Sequence, residues 1–356
     1  MGKKDEGHDE TEKVLKELEK RISIEYAKAE REVKNKLNDY LRRFAVKDKI
    51  KKQALQDGKI TQKEYNQWLI GQLAMGERWE EMKDTLADDL TTTAGKAKSI
   101  TTGYMPEVYA INHNYGTFQV EQTSLIDTSY TLYDRQTVER LFRDEDFYKK
   151  PGWKTRKAIN EGKQKEWDKK QVQSVMIQSI LQGEPIGSIA TRLSKTVGEA
   201  DRKAAIRDAR TITTGVENAG RVDSYKRAEK MGIKLEQEWI ATLDGRTRHE
   251  HRLLDGMRVK VGEKFHVTGE EIEYPGDPAA PGYLVYNCRC TLVPSLVGYE
   301  VDSTDLSQRN TTHMQEETYE EWKNSHNIHS DRITKQDEIA ETMKRKYINE
   351  YKRLKK

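Results

Sequence analysis

From Thr11 to about Phe44 an apolar stripe runs through Leu15, Leu18, Ile22, Tyr26, Ala29, Val33, Leu37 and Leu41. Steps of three and four place them on one face of an α-helix, whereas strand alternation would scatter them over two. The start of the chain must therefore be a long helix with a single apolar side. The stripe drifts from a strict heptad, because Glu25, Glu32 and Asp39 stand where a second seam residue belongs. Packing against neighbouring helices is expected rather than a long coiled coil.

Composition agrees with helices that are mostly solvated. Of 356 residues, 35% are hydrophobic, 8% aromatic and 35% charged, which is lean for one large globule. The length allows two or three domains. With 63 Lys and Arg against 60 Asp and Glu the net charge is +3, so only its local distribution is informative. No segment approaches the roughly 18 consecutive apolar residues of a membrane span. Met1 to Asp9 is charged with no apolar run behind it, unlike a signal peptide. Two cysteines make no disulfide framework, and a reducing compartment such as a bacterial cytoplasm fits them.

Residues 1–10 are polar and expected to be disordered. Asp57-Gly58 marks a turn, and Thr61 with Glu64 reads as a capping box opening the next helix. Glu77 to Leu90 is helical; Thr91-Thr92-Thr93 is expected to end it, since β-branched residues lower helix propensity. Ala97 to Asn112 is helical again, with a break expected near Gly103 and Pro106. Asn112 to Gly116 reads as a loop, where His113 is a structural hydrogen-bonding residue. Lys149 to Lys170 reads as a basic connector with Trp153 and Trp167 as anchors. Gln171 to Leu181 and Pro185 to Leu193 are two helices. Glu199 to Met231 is a longer one, with Ala205, Ala209, Ile212, Val216 and Ala219 along one side and Gly232 as its stop. Leu235 to Ala241 and Cys290 to Val297 read as strands.

Three basic clusters could meet nucleic-acid phosphates. They are represented by Arg42, Arg43, Lys47 and Lys51; by Lys150 and Lys154; and by Lys344, Arg345, Lys352 and Arg353. The competing reading is a set of solvated helix faces.

Reactive and turn-forming residues concentrate between Trp239 and Leu296. Asp244-Gly245-Arg246-Thr247-Arg248 is followed by His249, His251 and Leu254-Asp255-Gly256. Then come Tyr274-Pro275-Gly276-Asp277 and Asn287-Cys288-Arg289-Cys290. Zinc takes four ligands from such groups. His251, Cys288 and Cys290 are candidates, with His249, His266 or Asp244 as a fourth. Cys-x-Cys is tighter than the spacers typical of structural zinc sites. The two thiols, read as alternating along a strand, are expected to face opposite sides and not to share one ion without a bulge. A cysteine–histidine nucleophile pair is the catalytic alternative, with Arg246, Arg248 and Arg289 as anion holders. The simplest reading makes these residues the polar core of a small fold, where Asp244 pairs with Arg248 or accepts backbone N–H groups in the Asp-Gly turn.

The order and spacing of Asp244 to Arg248, His251, Leu254-Asp255-Gly256, the Tyr-Pro-Gly-Asp turn and Asn287 to Cys290 resemble the Mu F-like head-morphogenesis domain of tailed-phage minor head proteins. The resemblance is strongest over residues 165–298. Gly58 to Thr61 and Tyr104 to Phe118 resemble more loosely the form found in phages of Gram-positive bacteria. It implies motif roles for Asp244, Arg246, Arg248, Asp255, Gly256 and Asn287. It also implies a long helix behind the Cys/His segment, into which Arg207, Arg210 or Arg221 points.

The expected fold is a mainly α N-terminal region (11–165), then a small α+β domain with a long helix and a short β-sheet (166–298), then a helix-prone, flexible polar tail (299–356). The resemblance implies a non-enzymatic virion protein in the capsid interior near the portal, assembled in the host bacterial cytoplasm. It would aid DNA packaging or delivery. Implied partners are the portal protein, the scaffolding or major capsid protein, and phage DNA bound without sequence preference; no membrane is implied. Some relatives carry a separate toxin or transferase domain. The competing function is a zinc-dependent enzyme or injected effector built on His251, Cys288 and Cys290, with Zn as its cofactor.

Overall fold

The computed structural model describes residues 5–128, 130–143, 161–182, 184–297 and 318–326. Its helices are α1 (Glu6–Arg42), α2 (Ala45–Gln56), α3 (Gln62–Leu73), α4 (Glu77–Ser124), α5 (Arg135–Arg143), α6 (Glu161–Leu181), α7 (Ile186–Lys230), α8 (His249–Leu254), α9 (Gly282–Val285) and α10 (Tyr319–Ser325). Its strands are β1 (Leu235–Ile240), β2 (Arg258–Lys260), β3 (Phe265–Val267), β4 (Glu270–Ile272) and β5 (Thr291–Leu296). The mainly helical class with a small antiparallel β portion is the expected one.

Two compact units form, both discontinuous in sequence. One comprises residues 19–100, 156–206 and 343–356; the other 1–18, 101–155 and 207–342.

In the first unit, Val33, Leu37 and Leu41 of α1 join Leu69 and Leu73 of α3, Trp79, Leu86 and Leu90 of α4, Val172 and Met176 of α6, and Ile189, Leu193 and Val197 of α7. The stripe read from the sequence is the buried face of α1, from Leu15 to Leu41. The Thr61–Glu64 capping box is present: Thr61 Oγ1 accepts the Glu64 N–H, and the Glu64 carboxylate accepts the Thr61 N–H. α6 begins within the stretch read as a connector. Lys165 and Lys169 pair with Asp88 and Asp84 of α4 at 2.5 and 2.7 Å, while Trp167 is exposed rather than an anchor. α7 runs unbroken where two helices were expected, because Val197 is buried between them and Gly198 is accommodated in the helix.

α4 is likewise continuous through Thr91–Thr93, Gly103, Pro106 and Asn112–Gly116. The hydroxyls of Thr93 and Thr117 bond back to the Asp89 and His113 carbonyls at 2.8 and 3.0 Å, so neither competes for a non-helical backbone. In the second unit, Gly116 and Gly220 let α4 and α7 approach closely. A Cβ at Gly220 would lie 2.8 Å from the Tyr109 carbonyl oxygen, and one at Gly116 would collide with the Ser224 hydroxyl. Gly116 is thus an interhelical contact and not part of a loop. His113 is structural as expected: Nδ1 meets the Tyr130 hydroxyl at 2.6 Å, the ring stacks on Tyr133, and burial pushes its pKa down to about 3.

The sheet of this unit has the order β2-β1-β5, all antiparallel, with Trp239 opposite Leu292 and Gln237 opposite Pro294. β5 is an edge strand, which is where a proline is tolerated. β3 and β4 form a separate hairpin. Trp239, Phe265, Leu254, Leu284, Leu292 and Tyr225 fill the core over α7.

Among the described residues one expectation of disorder is corrected, and part of the helix-prone tail is a helix, docked rather than flexible. Residues 6–10 are helical and packed, because Asp5 meets buried Arg221 and Gly7 lies against the Tyr115 ring. Tyr319–Ser325, expected in a flexible tail, is a docked helix with its own capping box at Thr318 and Glu321. Tyr319 and Trp322 are buried with Tyr115 and Tyr130, and the Trp322 indole N–H donates to Glu121 at 2.6 Å.

Candidate functional site

α7 supplies the wall on which the site is built. Along it Thr211, Thr214, Asn218, Arg221 and Tyr225 recur at helical spacing and are buried although polar. Each addresses the backbone between Asn287 and Leu292. Thr211 Oγ1 accepts the Asn287 N–H at 3.1 Å, and the Thr214 hydroxyl reaches the Cys288 carbonyl at 2.8 Å. Asn218 Nδ2 donates to the Cys290 carbonyl at 3.2 Å. Arg221 Nη1 and the Tyr225 hydroxyl donate to the Leu292 carbonyl at 3.0 and 3.2 Å.

This anchoring sets the two cysteines. Asn287 adopts φ +52°, a left-handed conformation that asparagine tolerates better than most residues. The chain leaves that turn with Cys288 and Cys290 still ahead of β5. The expectation that the thiols face opposite sides is corrected, since residues two apart share one face of an extended chain. Both face His251 of α8, with Nδ1 3.7 Å from Cys288 Sγ and 3.3 Å from Cys290 Sγ. All three residues are buried and both thiols are free. His251 Nε2 lies 2.8 Å from the Leu284 carbonyl, an acceptor only, so Nε2 carries the hydrogen. The lone pair of Nδ1 then points at the sulfurs.

The thiols polarise each other. The hydrogen bond from Cys288, helped by His251 and the Trp239 indole, holds the Cys290 thiol below its ordinary pKa; that same bond and burial push Cys288 up. Trp239, edge-on to His251 at 5.8 Å, closes the cluster from β1.

The remaining motif residues are structural neighbours. Asp244 pairs with Arg289 through two 2.8 Å contacts and accepts the Arg246 N–H at 2.8 Å. Its carboxyl is held well below the usual range, first by Arg289 and then by the Arg246 N–H. The expected pairing with Arg248 is not formed: that side chain reaches the Tyr286 carbonyl. The backbone part of the Asp-Gly expectation is present. Arg246 is exposed beside Asp244. Asp255 Oδ1 accepts the Ala241 N–H at 2.8 Å where β1 ends, and Gly256 at φ +76° makes the turn back toward β2. The Tyr274-Pro275-Gly276-Asp277 turn sits on α7. A Cβ at Gly215 would lie 2.6 Å from the Gly276 carbonyl oxygen, and Asp277 Oδ1 accepts the Ala279 N–H at 2.8 Å.

Of the proposed ligands, His251, Cys288 and Cys290 converge, with their donor atoms all within 4.8 Å of one another. His249 is exposed at the start of α8 and outside this group, as is His266, 72% exposed on β3. Asp244 is held by the two arginines. Sequence reasoning missed Asp5, Thr211, Thr214 and Asn218. Of the three α7 arginines weighed, Arg221 is the buried one, while Arg207 and Arg210 are exposed.

The family model described as Phage Mu protein F like protein matches residues 170–293. The chain carries a Mu F-like domain. Two curated relatives are similar to it. NAD(+)--arginine ADP-ribosyltransferase EFV of Enterococcus faecalis is 31% identical over 149 residues, covering 41% of this chain and 30% of that protein. Minor head protein GP7 of Bacillus phage SPP1 is 33% identical over 153 residues, covering 41% of this chain and 47% of that protein. The chain therefore spans less than half the length of either. No solved structure matches. The buried Cys/His cluster, the Asp244–Arg289 pair and the Tyr-Pro-Gly-Asp turn all lie within the matched Mu F-like segment. Asp5, which completes the surroundings of Arg221, lies outside it.

Proposed function

We propose that this chain acts as a minor head protein of a tailed phage, placed in the capsid interior near the portal. The observation that carries the reading is the Mu F-like match together with the 33% identity to a phage minor head protein. Its partners are the portal protein and the scaffolding or major capsid protein, met during assembly in the host bacterial cytoplasm. It aids DNA packaging or delivery by binding, without turnover. The similarity to the ADP-ribosyltransferase covers under a third of that protein. The one Cys/His cluster of the Mu F-like domain is buried at 3% exposure for each member, which supports a holding role over attack on a substrate. No helix among the described residues is long and apolar enough to cross a membrane.

DNA contact is assigned to basic surface. Arg42, Arg43 and Lys47 are exposed at the α1–α2 junction, and Lys51 lies 5.9 Å over the Trp68 ring. Lys150, Lys154, Lys344, Arg345, Lys352 and Arg353 lie outside the described residues. The first test is to ask whether the protein co-sediments with purified phage heads; its absence from them overturns the proposal. For the DNA part, each phosphate contact contributes about 0.9 to the slope of log affinity against log salt. Replacing Arg42, Arg43 and Lys47 by Glu is expected to flatten that slope, and salt-independent binding of the unsubstituted protein refutes this part alone.

A further inference from the structure

We propose that His251 Nδ1, Cys288 Sγ and Cys290 Sγ bind one soft divalent cation, zinc by the chemistry of the donors, as a clasp within the Mu F-like domain. Neither the family match nor either relative's name assigns a metal to it.

The first ground is distance. With Zn–S near 2.3 Å and Zn–N near 2.0–2.1 Å, tetrahedral angles separate sulfur and nitrogen by about 3.5–3.6 Å. The two S···N separations, 3.3 and 3.7 Å, bracket that value.

The second ground is the imidazole. Its Nε2–H is committed to the Leu284 carbonyl at 2.8 Å, which fixes the tautomer and the ring orientation. That is the outer-shell hydrogen bond metal-bound histidines typically make. The ring is presented with its bare nitrogen toward the thiols before any ion arrives.

The third ground is the backbone. Residues two apart on an extended segment present their side chains to one side, and Asn287, at φ +52°, turns the chain just ahead of the two cysteines. Non-glycine residues in that region carry strain and persist where surroundings over-determine them. Here Thr211, Thr214 and Asn218 hold the segment by its N–H and carbonyl groups. The fully buried indole N–H of Trp239 has no oxygen or nitrogen acceptor among the described residues and lies beside Cys290.

Among the described residues no fourth histidine, cysteine or carboxylate joins the group. The fourth position falls to a solvent molecule or another small donor. The cation would tie α8 to the turn before β5, and through the cysteine carbonyls to α7.

The experiment uses the full chain purified under reducing conditions without added metal. Elemental mass spectrometry is expected to give about one zinc per chain, falling at least tenfold in the Cys288→Ser/Cys290→Ser protein. To separate loss of the ion from loss of the fold, the unsubstituted protein is also stripped with a chelator under reducing conditions and titrated with Co2+. Saturation at one equivalent with thiolate-to-cobalt absorption in the near ultraviolet supports the site, and His251→Ala should change the visible ligand-field bands. The proposal is overturned if the stripped, folded protein gives no thiolate–cobalt absorption, or if the two thiols are found as a disulfide that takes up no metal after reduction. It stands or falls independently of the role in the head.

Discussion

Replacing Asp5 by Ala tests the least expected contact of the fold. Arg221 is fully buried, and its guanidinium meets both Asp5 oxygens at 2.8 Å. Its other partners are the Leu292 carbonyl at 3.0 Å, Asn112 Oδ1 at 3.2 Å and Glu217 at 3.4 Å. Removing one member of a fully buried ion pair costs about 3–5 kcal/mol, because the other charge is left uncompensated. Two features lower that figure here. The Asp5 side chain is 26% exposed, and Glu217 remains beside the guanidinium. About 2–3 kcal/mol is therefore expected. Amide exchange across β5 and the Asn287–Leu292 segment is the suitable assay, since it reports this unit without assuming that the whole chain unfolds in one step. Protection there should fall by roughly 30- to 150-fold at neutral pH, with 1.4 kcal/mol to each factor of ten. Burial alone would raise the Asp5 pKa, but Arg221 overrides it and the net shift is downward. The contribution is thus present above the unfolded carboxylate pKa and lost as pH falls through the folded one, so wild type and variant should converge in acid. An Arg221→Met/Asp5→Ala protein should be less impaired than the sum of the single changes. Unchanged exchange in Asp5→Ala would falsify the anchoring of the N-terminus.

Three further outcomes follow from particular contacts. Gly220→Ala sets a methyl 2.8 Å from the Tyr109 carbonyl and 3.1 Å from the His113 nitrogen, and should cost about 1–3 kcal/mol by thermal unfolding. Asp201 is pushed up to about 7 by burial and by the nearby Asp168. Between about pH 4 and 7 the folded state then holds a proton that the unfolded state has released, so stability falls as pH rises; Asp201→Asn should flatten that slope, and an unaltered pH profile refutes the assignment. Trp322→Ala removes a buried indole and its bond to Glu121, and limited proteolysis should then cleave within 318–326, where the unsubstituted chain resists.

What the sequence made legible was local. The α1 stripe needs only a period, and the Thr61–Glu64 cap only a spacing of three. The strands at Leu235 and Thr291 showed as short β-prone runs. What it hid depended on partners far along the chain. Gly103, Pro106 and Gly116 looked like interruptions of α4, and only the packing against α7 makes Gly116 a contact. Arg221 and Asp5 are 216 positions apart, so no window could join a charged N-terminus to a buried arginine. The Cys288–Cys290 geometry was misjudged because alternation separates only adjacent residues; two positions apart, both side chains fall on one face of an extended chain.

The relation between α7 and the segment before β5 has a geometric basis. Cys288, Cys290 and Leu292 offer carbonyls two residues apart, about 6.6 Å along an extended chain. Thr214 and Asn218 are four residues apart, about 6 Å along a helix. The two repeats nearly match, so one helix face can serve successive carbonyls before the registers part. Thr214, Asn218 and the pair Arg221 and Tyr225 do so in order. A polar row buried on a helix would be costly if unpaired. Here it substitutes for the neighbouring strand that the segment lacks. It also holds the Cys288 and Cys290 backbone in place beside His251.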